Sequence, residues 1–103
     1  MSQSPDIPDE TPPESLEDAD HVRRKRVRFR CWHRGTKEAD LLLGRFADAH
    51  VFELPEDRLI ELEALLEAPD WDVYAWVCRG GAPAPFDTEL MRQLQDFSRD
   101  NPL

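Results

Sequence analysis

From residue 21 onward, apolar residues recur at three- and four-residue intervals, with charged residues between them, which is the periodicity of amphipathic helices. Five such segments can be drawn. The first covers 21–33, with Val22, Val27, Phe29 and Trp32 as its apolar positions and a stop at Gly35. Alternation between Val27 and Cys31 leaves a short extended piece open there. The second covers 36–50, where Thr36 can cap and Leu42, Leu43, Phe46, Ala47 and His50 form the stripe. Gly44 inside that stripe predicts close packing against a neighbour. The third opens around Pro55, carries Leu59, Leu62, Leu65 and Leu66, and ends before Pro69. The fourth covers 70–78, with Asp70 as cap and Trp71, Tyr74 and Val77 on one face. The core is the expected place for Trp71 and Tyr74, and Trp76 falls on a different face, where exposure is open to it. Residues 80–85 make a stiff Gly- and Pro-rich connection. The fifth segment starts at Asp87 or Thr88, buries Leu90, Met91, Leu94 and Phe97, and frays after Arg99. No strand pattern or repeat follows residue 35. The fold class is therefore an all-α, small single-domain bundle of about five helices.

Residues 1–20 break the pattern. They hold four of the nine prolines, many acids and few apolar side chains, so they read as a disordered acidic tail ahead of a helical domain at 21–100. Charge is distributed in blocks. Residues 1–20 carry −7, residues 21–37 carry +8 and residues 38–103 carry −10, within a net charge of −9. One basic segment in an acidic molecule suits a specific partner and argues against nucleic acid, whose binders show a broad basic face. The longest uncharged run, 80–86, has seven residues, whereas a membrane-spanning helix needs roughly 20. An acid-rich start with no apolar core resembles neither a secretion signal nor a transit peptide, so the expected location is the bacterial cytoplasm. Cys31 and Cys78 are far apart and expected to be reduced and partly buried. No metal-ligand spacing appears.

The distinctive chemistry lies at Cys31-Trp32-His33-Arg34-Gly35-Thr36-Lys37-Glu38. Its plain reading is a helix C-cap at Gly35, with Arg34 and Glu38 as a surface ion pair. The alternative is a contact surface: the arginine fork meets a carboxylate, phosphate or carbonyl, and the glycine admits a partner's backbone. No catalytic constellation accompanies it. The serines sit in tail or end positions, and Gly80-Gly81 leads into prolines, not into a phosphate-binding helix start.

The order Arg34-Gly35-x-x-Glu38, Leu42-Leu43, Phe46-Ala47, Asp70-Trp71-Asp72-x-Tyr74-x-Trp76, Pro83-x-Pro85 and Leu94-x-Asp96-Phe97 resembles the succinate dehydrogenase flavinylation factors, also called FAD assembly factors, over about residues 23–99. Relatives often carry bulky apolar residues where this chain has Thr36 and Ala39. The resemblance implies a five-helix protein that is not an enzyme. It implies binding to the flavoprotein subunit of succinate dehydrogenase, and in bacteria often that of fumarate reductase too, with promotion of covalent FAD attachment to a client histidine. No cofactor would be held by this chain itself. By the same resemblance Arg34, Gly35 and Glu38 would sit at the client contact, with His33, Arg30 and Arg28 as neighbours. The competing reading is a small regulatory, RNA-binding or antitoxin-like module that uses the Arg-rich segment.

Overall fold

Two threonines mark where helices begin. In a computed structural model describing residues 16–102, Thr36 and Thr88 are extended residues whose hydroxyls accept from the backbone N–H three positions on, in Ala39 and Met91. Each satisfies one of the orphan donors of a helix start. The helices are α1 (Leu16–Trp32), α2 (Lys37–His50), α3 (Glu56–Leu65), α4 (Asp70–Arg79) and α5 (Glu89–Asp100), with a 3-10 turn at Ala84–Phe86. Among the described residues there is no strand, and no helix is long and apolar enough to cross a membrane.

Most of the expected segments are found, with three differences. α1 is helical throughout, with no extended piece, and begins at Leu16, so 16–20 belong to the helix and not to a tail. The Asp20 carboxylate accepts from Arg24 Nε at 2.8 Å one turn later, and Arg24 is itself buried, which anchors this first part of the helix. The disorder expected for 1–15 lies outside the described residues. Second, Asp70 is not a cap; Pro69 holds that position, and the Asp70 carboxylate is used elsewhere. Third, α4 keeps Val77 in the core and Tyr74 packed against it, as expected, but exchanges the expected places of its two tryptophans. Val73 and Val77 point inward, and Trp76 packs against the core with its ring stacked on Phe86 at 5.1 Å. Trp71 is 74% exposed. Helical geometry explains the change: residue 76 lies close to the 73–77 line, whereas 71 is about 200° from 73.

The core joins Val27 and Cys31 of α1, Leu42, Leu43, Phe46 and Ala47 of α2, Leu59, Leu62 and Leu65 of α3, Val73 and Val77 of α4, and Leu90, Met91 and Leu94 of α5. Phe97 meets Phe46 edge-on at 5.5 Å, an arrangement favoured by ring quadrupoles. α1 packs most extensively along α2, and α4 lies against α5 and α2.

At the α1–α2 crossing, the Trp32 ring lies directly on Gly44 and its Nε1 donates to Asp48 Oδ1 at 3.1 Å. A Cβ at position 44 would fall within the ring. Elsewhere in a helix Gly→Ala is stabilising by about 1 kcal/mol. Here Gly44→Ala is expected to cost about 1–3 kcal/mol through overpacking. A thermal melt decides the sign, and a raised Tm would refute the close contact.

Two arginines of the first 34 residues tie down the inter-helix connections. Arg24 Nη1 donates to Val51 O and Leu54 O, each at 2.7 Å, where α2 has ended and α3 has not begun. These are carbonyls that no helix satisfies. Arg34 does the equivalent after α3.

Candidate functional site

Gly35 occupies the corner between α1 and α2 with φ +112°, a conformation that side chains rarely adopt. It is not the C-cap of α1, which ends at Trp32. Asp40, in the first turn of α2, fixes the corner from outside the glycine: its Oδ1 accepts from Arg34 N at 2.6 Å and from Gly35 N at 3.3 Å.

Arg34 turns inward. Nε donates to Asp70 Oδ1 at 2.7 Å, Nη1 to Leu66 O at 2.5 Å and Nη2 to Ala68 O at 2.6 Å. Its side chain is 11% exposed and that of Asp70 15%. The expected Arg34–Glu38 surface pair is thus replaced by a half-hidden Arg34–Asp70 pair. The reason is local demand: carbonyls of the connection just after α3 need donors, and the planar fork supplies several in fixed geometry. Arg34 builds the corner, and the exposed surface is made by its neighbours.

That surface consists of Gly35, Thr36, Lys37 and Glu38, all exposed, and of Trp71 with half-buried Tyr74 on α4. Thr36, Glu38, Asp70, Trp71 and Tyr74 line an open groove of about 420 Å³. The charge of the adjacent Cys78 sulfur, then burial, hold the Tyr74 phenol above its ordinary value, and Glu38 pushes the same way. A position 35 Cβ would stand 3.9 Å from Asp70 Oδ2, so the glycine borders this groove.

The other candidates divide. His33 flanks the corner, its ring stacked on Phe29 at 4.0 Å and its Nδ1 donating to Phe29 O at 2.8 Å. Arg30 is paired with Glu67 at 2.6 Å. Arg28 is not brought to the corner; its guanidinium lies over Phe52, past the far end of α2. Asp40 and Asp70 were missed as site residues. Asp40 carried a weak signal, being six residues from Arg34, while Asp70, 36 away, stands out only as an expected cap and as part of the resemblance, with nothing in the spacing to join it to Arg34.

Four of the eight bases in the basic segment are paired with acids within the molecule. Arg23 bonds Glu63 and Glu56 of α3, and these hydrogen bonds, Glu63 first, push its pKa above the ordinary arginine value. Arg24, Arg30 and Arg34 are likewise paired with acids. Cys31 is buried, which pushes its thiol up to about 12, whereas Cys78 is exposed, contrary to the expected partial burial of both.

The Sdh5 family, described as flavinator of succinate dehydrogenase, matches residues 25–98. The mitochondrial succinate dehydrogenase assembly factor 2 of Candida glabrata is 36% identical over 83 residues, covering 76% of this chain and 54% of that protein. The protein of the same name from Dictyostelium discoideum is 35% identical over 81 residues, covering 78% and 57%. The FAD assembly factor SdhE of Acetobacter pasteurianus is 36% identical over 80 residues, covering 76% and 72%. The chain thus spans little more than half the length of the mitochondrial relatives it matches.

Proposed function

Because the chain belongs to the Sdh5 family, a family of succinate dehydrogenase assembly factors and not of enzymes, we propose that it binds the flavoprotein subunit of that enzyme and promotes covalent attachment of FAD to it. The same docking extends to a fumarate reductase flavoprotein subunit where the cell has one. The observation that carries this reading is the rigid corner: Gly35 and Glu38 are exposed on a turn whose backbone is held by Asp40 and whose floor is held by Arg34. A preformed surface loses little ordering entropy on docking.

In this reading the new bond joins two groups of the client, a histidine nitrogen and the flavin methyl carbon, and FAD is the client's, not this chain's. The factor's residues contribute by position. If the corner binds the attachment-competent arrangement of the client 100-fold more tightly than the others, it raises that population by up to the same factor. Holding reacting atoms in contact lowers a barrier without any new chemical group. Gly35 lets client backbone approach, Glu38 and the α4 aromatics orient it, and Arg34 and Asp40 keep the corner in shape. His33 and Arg30 border the contact. Arg28, at the other end of α2, falls outside it.

The internal pairing of Arg23, Arg24, Arg30 and Arg34 weighs against the nucleic-acid alternative, since charges already matched release few phosphate counterions.

The test is in-gel flavin fluorescence of the succinate dehydrogenase flavoprotein subunit, run under denaturing conditions from cells lacking this gene. Fluorescence is expected to be lost and to return with the wild-type gene. Undiminished fluorescence in the deletion strain would overturn the reading.

A further inference from the structure

Trp71 is 74% exposed, against 51% for Ile60 and 40% for Phe52, which makes it the most exposed large apolar residue among those described. It belongs to the groove lined by Thr36, Glu38, Asp70, Trp71 and Tyr74. The polar atoms of this groove are one-sided. Its charged groups are carboxylates, its aromatic faces carry the negative side of a ring quadrupole, and it is lined by no cation. Asp70 is already satisfied by Arg34. Glu38, by contrast, makes no ion pair among the described residues and stands exposed at the rim. The floor cannot easily collapse, because Arg34 holds Asp70 and the 66–68 carbonyls in place. An open aromatic groove with an unpaired carboxylate at its rim is complementary to a long side chain with an apolar stem and a cationic head.

We propose that this groove receives an arginine or lysine side chain from the surface of the client flavoprotein subunit, its stem lying across Trp71 and Tyr74 and its head meeting Glu38. The proposal rests on the flavoprotein reading and adds the chemistry of the contact to it. Exposed Trp71 then supplies the apolar anchor, a role in which tryptophan is over-represented at protein interfaces. Glu38 supplies the selectivity for positive charge.

The experiment is a calorimetric titration of the full chain into the same organism's flavoprotein subunit, at low and at high salt, with wild type, Trp71→Ala, Trp71→Phe and Glu38→Gln. Trp71→Ala is expected to weaken binding by about 30-fold, as for an anchoring residue. Trp71→Phe should keep most of the affinity, because a π-face remains. Glu38→Gln should weaken binding by about fivefold at low salt, the difference closing as salt screens the pair. Thermal melts of the variants confirm that each is folded, as Trp71 and Glu38 are exposed. If wild type binds and both Trp71→Ala and Glu38→Gln bind equally well, the groove is not the contact, while the flavoprotein reading stands. If wild type fails to bind and the deletion strain keeps its covalent flavin, that reading falls and the groove proposal with it. Sedimentation of the free chain covers a second occupant. A dimer that Trp71→Ala dissociates, with client affinity unchanged, would assign the groove to another copy of this chain and overturn the proposal.

Discussion

Replacing Arg34 by methionine is expected to lower the stability of the fold by about 3 kcal/mol, which for a domain of this size is roughly 12–24 °C in Tm. The side chain is of similar length, so little packing is lost. What is lost is the donor set. Asp70, only 15% exposed, keeps its charge without its partner, and Leu66 O and Ala68 O lose their donors. Lysine should recover only part, since one ammonium cannot reproduce three donors in a plane. Calorimetric melting of Arg34→Met, Arg34→Lys and wild type measures this directly. A methionine variant that melts within a few degrees of wild type yet fails to flavinylate would show that the guanidinium acts on the client and not on the corner.

Gly35→Arg should abolish flavinylation of the client. Two effects coincide at this residue. A side chain at φ +112° is strained by about 1–3 kcal/mol, and its Cβ projects toward the Asp70 edge of the groove. Strain of that size leaves most small domains folded. Gly35→Ala separates the two, because it carries the strain without the bulk, and it should retain more activity than the arginine variant. In-gel flavin fluorescence of the complemented deletion strain, read beside a melt of each purified variant, is the measurement. Full fluorescence with Gly35→Arg would mean that the client does not approach this glycine.

The parts of the fold that could be read from the chain are those decided within one or two helical turns. The caps at Thr36 and Thr88 need only a hydroxyl and the next three residues. The stripe of α2 and the tight spot at Gly44 follow from helical spacing. Arg34 shows the limit. Spacing offers a residue only its i+3 and i+4 neighbours, and so offered Glu38, whereas the actual partners are 32 to 36 positions away. Trp71 misled for another reason: a large aromatic in a helix usually fills a core, and its size says nothing about which of two flanking faces the valines will claim. The start of α1 was hidden because prolines and acids resemble an unstructured tail, although Asp20 pairs with the buried Arg24 one turn on.

The two arginine clamps also set an order of events during synthesis. Arg24 waits for carbonyls 27 and 30 positions downstream, and Arg34 for groups 32 to 36 positions downstream. The Arg34 corner therefore cannot close until Asp70 has been made, and until then its guanidinium lacks its full set of partners, although α2 can already cover the apolar face of α1. The α1–α2 and α4–α5 pairs, close neighbours in the chain, have only short loops to close and do not wait in this way. The newborn protein should thus pass through a stage in which its N-terminal half is made but unsecured, the interval in which a nascent chain is most exposed to proteases and to wrong partners.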